Sequence, residues 1–142
     1  MKNYILFFTA LLVFQFLKAQ SECVLVEKAL QNYMEGSSYN KLDMLESAFA
    51  ENATLYLTGR DSDFKTYTPK EYAGFFKNKE AGSFNGRQAK VLAIEVVKDI
   101  ATAKVQISIP EREMVYIDLF LLKKFDDEWK IISKTATRID DN

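Results

Sequence analysis

Histidine is absent from the 142-residue chain, and cysteine occurs once, at Cys23. The lack of histidine excludes histidine-dependent triads, histidine-ligated zinc sites and histidine proton shuttles. A single cysteine cannot form an intramolecular disulfide, a CxxC redox pair or a thiolate metal cluster. The chain carries 19 basic and 20 acidic residues, so it has no positive excess that would attract nucleic acid. We therefore predict no metal, no cofactor and no nucleic-acid partner.

The first 20 residues have the pattern of a secretory signal peptide. Lys2 precedes an uncharged, mostly apolar run from Tyr4 to Leu17, and small or polar residues follow at Ala19 and Gln20. A membrane-spanning helix needs about 20 apolar residues to cross about 30 Å of hydrocarbon, so this run is too short. We expect a signal peptide over residues 1–20 and one exported domain over residues 21–142, periplasmic or secreted and free of the membrane after cleavage. A retained anchor is the alternative.

Apolar residues at steps of three and four predict helices in the first half of this domain. One helix is predicted from Glu22 to Glu35, with Gly36 as its C-cap. A second helix of about three turns is predicted to follow, with Asn40 as its N-cap. Thr68 and Glu71 form the pattern of a capping box, with a proline at the first helical position between them, and so predict the start of a third helix.

Strands are predicted in between and beyond these helices. The ATLYLT segment at 53–58 is rich in β-branched and aromatic residues, and Gly59 to Asp63 breaks it. A loop is predicted at 78–86. From residue 87 onward the hydrophobic period changes to two, and in one strand the alternate residues from Ala101 to Ile109 are all apolar, which indicates one buried and one solvated face. This half predicts an antiparallel meander of four strands at 87–97, 101–109, 114–125 and 129–139.

The last two strands carry the most specific motifs. They read YIDLFLLK at 116–123 and WKIISK at 129–134. Together with the segment YMEG at 33–36, the 49–55 stretch and ATAKV at 101–105, they resemble the putative lumazine-binding family of the nuclear transport factor 2-like superfamily. The resemblance implies an α+β, cone-like fold, in which N-terminal helices pack in a strongly curved, mostly antiparallel sheet and leave a cavity. Fold transfers through such packing motifs more safely than function does.

Asp118 is the main candidate site residue, because it stands in the middle of a strand of aromatic and aliphatic residues. An ionised carboxylate is so costly to bury that it must either find donors or take up a proton. A protonatable buried carboxyl would suit a general base or a ligand anchor. The alternative is a structural aspartate that ties the sheet to a helix or to a tyrosine hydroxyl.

The neighbours of Asp118 depend on the register of the last hairpin. A two-residue turn at Asp126 and Asp127 places Thr135 opposite Asp118, and puts Trp129 and Ser133 on the same side of the sheet. A slip of one residue would instead bring Lys134 to that side, where it would lie diagonal to Asp118 and could form an ion pair. The charged turn lacks glycine and favours neither register.

Two functional hypotheses follow, together with a prediction of assembly. The first is an exported, non-catalytic domain that binds a small aromatic molecule or acts as a homodimeric interaction module. The second is an acid-base enzyme of the isomerase or dehydratase type, with Asp118 as base and Tyr116 or Tyr56 as proton donor. A homodimer is expected because Ile117, Leu119 and Leu121 would leave the second face of their strand apolar. The predicted ligand contacts are Tyr56, Tyr72, Tyr116, Asp118, Phe120, Trp129 and Ser133.

Overall fold

The computed structural model describes residues 2–58 and 63–140, so most of the break predicted at 59–63 lies outside the described residues. Within that part of the chain, no helix combines the length and apolar character needed to cross a membrane. Short 3₁₀ turns follow the third helix and the fourth strand. The elements are α1 (Lys2–Ser38), α2 (Leu42–Ser47), β1 (Phe49–Thr58), β2 (Phe64–Tyr67), α3 (Pro69–Ala73), β3 (Gln88–Val97), β4 (Ile100–Ile109), β5 (Met114–Phe125) and β6 (Glu128–Arg138).

One sheet of six strands, in the order β2-β1-β6-β5-β4-β3, packs against the helices. The strands from β3 to β6 form the predicted antiparallel meander, and only the β1–β6 pair is parallel. In β4, the alternate residues from Ala101 to Ile109 are buried against the helices, whereas the residues between them are exposed or half-buried. The predicted α+β class and the alternation of β4 are confirmed.

The end of α1 differs from the prediction. The helix continues to Ser38, so Gly36 is not its C-cap. Gly36 instead allows α2 to pack closely, because a Cβ atom at this position would lie 2.6 Å from the backbone nitrogen of Leu45. The left-handed residue that reverses the chain is Asn40, with φ of 55°. Asn40 is therefore not the N-cap of α2; that position is held by Lys41, whose side chain makes no capping hydrogen bond.

The buried side chain of Asn40 holds the 78–86 loop, which was predicted correctly, against the end of α1. Its Nδ2 donates to the carbonyl oxygens of Glu80 and Ser83, each at 3.0 Å. Its Oδ1 accepts from Nδ2 of Asn85 at 2.7 Å. Both Nδ2 protons and Oδ1 of Asn40 are thus bonded to the loop, so this side chain does not cap α2.

Local patterns gave the wrong limits for two other elements and missed a third. The second helix has six residues and not three turns, and β1 begins at Phe49 and not at 53. The strand β2 was missed because its four residues are mostly exposed and its existence depends on antiparallel pairing with β1. The start of α3 is confirmed: Thr68 Oγ1 accepts from the Glu71 backbone nitrogen at 3.2 Å, and the Glu71 carboxylate accepts from the Thr68 nitrogen at 2.7 Å.

Each proposed register of the last hairpin holds in a different part of it. Next to the turn, Phe125 pairs with Glu128, as a two-residue turn requires. Asp126 adopts a φ of 51°, which explains how the turn forms without glycine. The expectation that Asp118 faces Thr135 is wrong, since Asp118 pairs with Ala136.

A β-bulge at Ile132 causes this change of register. Leu122 pairs with Ile131, but the next residue of β5, Leu121, pairs with Ser133. The extra residue reverses the side on which subsequent residues of β6 project. Lys134 consequently turns toward the helices, on the same side of the sheet as Asp118.

Candidate functional site

A carboxylate, an ammonium group and two phenols form a buried cluster, the inner cluster, between the sheet and the helices. Its members are Asp118, Lys134, Tyr33 and Tyr72. Asp118 of β5 is 2% exposed and Lys134 of β6 is 3% exposed. The Lys134 Nζ lies 3.1 Å from Oδ1 of Asp118. The other carboxylate oxygen, Oδ2, accepts a hydrogen bond of 2.6 Å from the hydroxyl of Tyr33 in α1. Asp118 is therefore buried, as predicted, and it has found donors for both oxygens.

The hydrogen bonds have one consistent direction. The Tyr33 and Tyr72 hydroxyl oxygens are 2.9 Å apart. Tyr33 donates its only hydroxyl proton to Asp118, so Tyr72 must donate to Tyr33. The chain of hydrogen bonds thus runs from the Tyr72 hydroxyl of α3 through the Tyr33 hydroxyl to the Asp118 carboxylate. Tyr72 oxygen keeps its lone pairs, and among the described residues no group donates to it.

Aromatic rings enclose this cluster. The Lys134 Nζ lies 5.3 Å from the ring centroid of Tyr72 and 5.8 Å from that of Tyr33, within the range of cation–π attraction. Tyr33 meets the Phe120 ring edge-on at 4.9 Å, and Phe76 packs edge-on against Tyr72 at 5.6 Å. Asp118 is only 2% exposed, and within the described part of the chain these rings fill the space beside its carboxylate, so no open cavity reaches it there.

The surroundings keep the phenol of Tyr33 protonated. Burial of the ring raises the pKa of Tyr33 well above its usual value of 10.0, and the negative charge of Asp118 and the proximity of Tyr72 raise it further. Tyr33 is therefore a neutral hydrogen-bond donor at any physiological pH. The Tyr33 hydroxyl therefore serves as a fixed hydrogen-bond donor to Asp118, and its proton is not readily released.

Arg87, which immediately precedes β3, lies at the edge of the cluster and was not predicted as a site residue. Its guanidinium carbon lies 5.5 Å from the ring centroid of Phe76, and its buried Nε has no hydrogen-bond partner among the described residues. Burial alone would lower the pKa of Arg87, but electrostatic interactions, of which those with Tyr72 and Tyr33 are the largest, raise it. A single arginine at the start of a strand has no sequence pattern that marks it.

Two further members of the cluster were also missing from the predicted contacts. Tyr33 belongs to the apolar stripe of α1, where aromatic residues usually serve as core. Lys134 was considered only as a neighbour of Asp118 in the register shifted by one residue. That alternative register was the feature of the sequence that could have identified Lys134 as a site residue. Of the predicted contacts, Tyr72, Asp118 and Phe120 come together here.

The remaining predicted contacts lie elsewhere. Tyr116 follows the inner side of β5, with its hydroxyl 3.5 Å from the Met114 sulfur. Trp129 lies at the other end of the sheet, where its Nε1 donates to the Glu22 carboxylate at 2.9 Å. Tyr56 and Ser133 lie on the outer face, opposite the helices. Tyr56 is thus separated from Asp118 by the sheet and cannot act with it as a proton donor.

The outer face contains a groove of about 760 Å³ that crosses several strands. Tyr56 and Ser133 line it together with two exposed leucines of β5, Leu119 and Leu121, which are 47% and 50% exposed. Glu95 and Lys104 supply charges of opposite sign at the same groove. The prediction that β5 has two apolar faces is confirmed, because Phe120 and Leu122 are buried on the other side.

Solved structures with a similar backbone fold define the class of fold. A nuclear transport factor 2-like protein of unknown function from Shewanella baltica is 20% identical, with a TM-score of 0.73 over 84% of this chain and 94% of that one. A second such protein, from Methylobacillus flagellatus, is 23% identical, with a TM-score of 0.71 over 84% and 93%. A ketosteroid isomerase-like protein from Erwinia carotovora is 15% identical, with a TM-score of 0.60 over 82% and 95%. The fold is therefore that of the nuclear transport factor 2-like superfamily.

The family within this superfamily follows from the sequence. Residues 21–136 match the sequence model of the putative lumazine-binding family, so the chain belongs to that family. The resemblance noted in the two C-terminal strands is thereby confirmed. No curated protein matches the chain.

Proposed function

We propose that this chain is an exported protein that binds a small, partly aromatic molecule at the inner cluster, next to Tyr72 and Asp118. The family to which it belongs supports a small-molecule ligand. The observation that carries the proposal is the buried Asp118–Lys134 pair with its chain of tyrosine hydroxyls. Apolar residues of similar volume often stabilise a core as well as a buried ion pair does, so stability is a poor explanation for this arrangement.

The cluster suits a flat guest with a hydrogen-bond donor. The Tyr72 oxygen is an available acceptor held in place by its bond to Tyr33. The adjacent rings of Phe76 and Phe120 offer faces and edges for aromatic contact. Flat heteroaromatic molecules such as lumazine and the flavins combine these two properties.

Binding requires a local movement, because Tyr72 is only 5% exposed. Its cover is the short segment that follows it, in which Phe75 and Phe76 pack edge-on against the Tyr72 ring at 5.7 and 5.6 Å. Because α3 has five residues and ends in a single 3₁₀ turn, few hydrogen bonds oppose its displacement. We expect a ligand to change the hydrogen exchange of residues 72–76 before that of the central strands.

A thermal-shift screen of flat heteroaromatic molecules, including lumazine and riboflavin, tests the proposal. Any molecule that raises the melting temperature is then titrated against Tyr72→Phe and against Tyr56→Phe, which removes a phenol from the outer face. Loss of one hydrogen bond predicts up to about tenfold weaker binding for Tyr72→Phe and no change for Tyr56→Phe. If no member of the screen shifts the melting temperature at high concentration, ligand binding is rejected.

The geometry favours binding over acid-base catalysis. A general base needs an oxygen that can reach the substrate proton. In this structure one Asp118 oxygen faces Lys134 and the other accepts from Tyr33. Catalysis would therefore require Asp118 to give up one of these partners first.

We also propose that the protein forms a homodimer through the outer groove. Exposed Leu119, Leu121 and Tyr56 form an apolar surface there. Glu95 of β3 and Lys104 of β4 are diagonal neighbours in the sheet. A two-fold axis through the groove could therefore place Glu95 of one copy near Lys104 of the other. Sedimentation should give a dimer for the wild type and a monomer for Leu119→Asp. Val24→Asp, on the exposed side of α1, is the control. A monomeric wild type at high concentration would reject the dimer.

Export is the third part of the proposal. It is supported by the signal-peptide pattern and by a family match that starts at residue 21. The contacts of Glu22 support a mature domain that begins near Ser21, because its carboxylate accepts from Lys124 Nζ at 2.7 Å and from Trp129 Nε1 at 2.9 Å. Mass spectrometry of the expressed protein should show an N-terminus near Ser21. Recovery of the intact 16.3 kDa chain from the cytoplasm would contradict export, and its recovery from the membrane fraction would indicate a retained anchor.

A further inference from the structure

The charges around the inner cluster do not balance. Among the described residues, the cluster and its edge hold two cations, Lys134 and Arg87, and one carboxylate, Asp118. Lys134 makes an ion pair with that carboxylate, whereas Arg87 has no carboxylate within 4.0 Å among the described residues. The buried Nε of Arg87 also lacks any hydrogen bond. A buried donor on a charged group is costly to leave unpaired, so this arginine is the member of the cluster that lacks a partner.

The backbone around Arg87 fixes where its side chain begins. Its amide nitrogen donates to Oδ1 of Asn85 at 3.1 Å, and Gly86 adopts a φ of 90°. Asn85 is in turn bonded to Asn40, so the turn before β3 is tied to the end of α1. The guanidinium then lies over Phe76, a ring at the cover of the cluster. Stacking on a ring leaves the edge of the planar fork available for hydrogen bonds.

We propose that Arg87 forms an anion subsite at the edge of the inner cluster, and that it binds the carboxylate of a small planar aromatic acid. This inference rests on the proposed ligand binding and specifies the class of ligand. The guanidinium fork matches a carboxylate through two parallel hydrogen bonds, for which Nε–H supplies one donor. The carboxylate would provide the missing negative charge, and the attached ring would contact Phe76 and Tyr72.

Glu111 is the internal acid that could compete with such a ligand. Its Oε2 lies 3.9 Å from the position that a Cβ of Gly86 would occupy, but the side chain is exposed and forms no ion pair with Arg87 in this structure. If Glu111 were the true partner of Arg87, the wild type would show no preference for the acid and Glu111→Gln would create one. An anion subsite for a ligand predicts equal or tighter binding of the acid by this variant.

The test compares two probes of equal shape, 2-naphthoate and the neutral 2-naphthamide, by calorimetry and by amide chemical shifts at residues 85–88. The wild type should bind the acid about ten- to a hundredfold more tightly than the amide, the range expected for charge-assisted paired hydrogen bonds. Arg87→Met keeps the packing over Phe76 and should bind the two probes equally. Lys28→Met, at an exposed lysine of α1, is the matched control and should retain the preference.

The possible results separate this inference from the proposal on which it rests. Equal binding of both probes by the wild type, or an undiminished preference in Arg87→Met, overturns the anion subsite while ligand binding stands. If neither probe nor any heteroaromatic molecule binds, both are overturned. If Arg87→Met does not fold, Arg87→Lys replaces it: this variant keeps the charge but loses the fork, so its preference for the acid should drop several-fold, and an unchanged preference overturns the subsite.

Discussion

Removing the ammonium group of Lys134 should destabilise the protein more than most single substitutions. Lys134 is 3.1 Å from Asp118, and both side chains are almost completely buried. In Lys134→Met the carboxylate would stay buried without its counter-ion, which typically costs about 3–5 kcal/mol. Because small domains are stable by only about 5–15 kcal/mol, this is a large share of the total free energy of unfolding.

The double variant Asp118→Asn, Lys134→Met removes both charges and so separates pairing from burial. The asparagine carbonyl can still accept from Tyr33, and the remaining cost is one incompletely paired amide, about 1–3 kcal/mol. The double variant should therefore be more stable than Lys134→Met alone, with a coupling free energy of about 2 kcal/mol or more.

Urea unfolding at neutral pH, followed by the fluorescence of Trp129, measures these differences. Lys28→Met, which replaces an exposed lysine of α1, should change the free energy of unfolding by less than about 0.5 kcal/mol. A loss below about 1 kcal/mol for Lys134→Met, or additive losses in the double variant, would refute the view that the two charges are buried and depend on each other.

Three further predictions concern the frame of the site. Because the pKa of Tyr33 is raised in the folded protein, the stability it contributes is complete below about pH 10 and is lost as the pH rises above it; unfolding from pH 8 to 11 should show a smaller loss in Tyr33→Phe than in the wild type, and parallel curves would contradict this. Gly36→Ala should cost about 1–3 kcal/mol, because the new methyl group meets the Leu45 backbone, whereas Gly74→Ala, with open space around it, should cost nothing; equal melting temperatures would reject this reasoning. Asn40→Gly keeps the left-handed backbone but loses three side-chain hydrogen bonds, so protease should cleave the 78–86 loop faster than in the wild type; an unchanged rate would show that the loop is held by other contacts.

The sheet could be predicted from sequence because its pattern is local. The period of two from residue 87 onward placed the four strands of the meander close to their observed limits. The carboxylate of Asp118 stood out for the same reason, since a charged residue in the middle of an apolar strand conflicts with its surroundings. The capping box at Thr68 is also local, and it formed as predicted.

The rest of the site depends on contacts between distant parts of the chain. Whether Lys134 faces Asp118 is decided by the bulge at Ile132, and no residue type in β6 predicts a bulge at that position. The Asn40 side chain forms its hydrogen bonds with a loop some forty residues away in the sequence, and a local capping rule cannot predict such contacts. Arg87 acquires its position from Phe76 and from the turn held by Asn85. Local propensity yields to tertiary packing at each of these places.

The bulge in β6 makes the strand unequally tolerant of changes in length. Ile131 and Lys134 face the helices although they are three positions apart, because Ile132 is the one residue that the ladder does not need. Deleting Ile132 would straighten the strand and leave every other side chain on its present side. Deleting a neighbour such as Lys130 would exchange inside and outside for part of the strand. Relatives that differ by a one-residue gap in this strand should therefore carry that gap at the bulge.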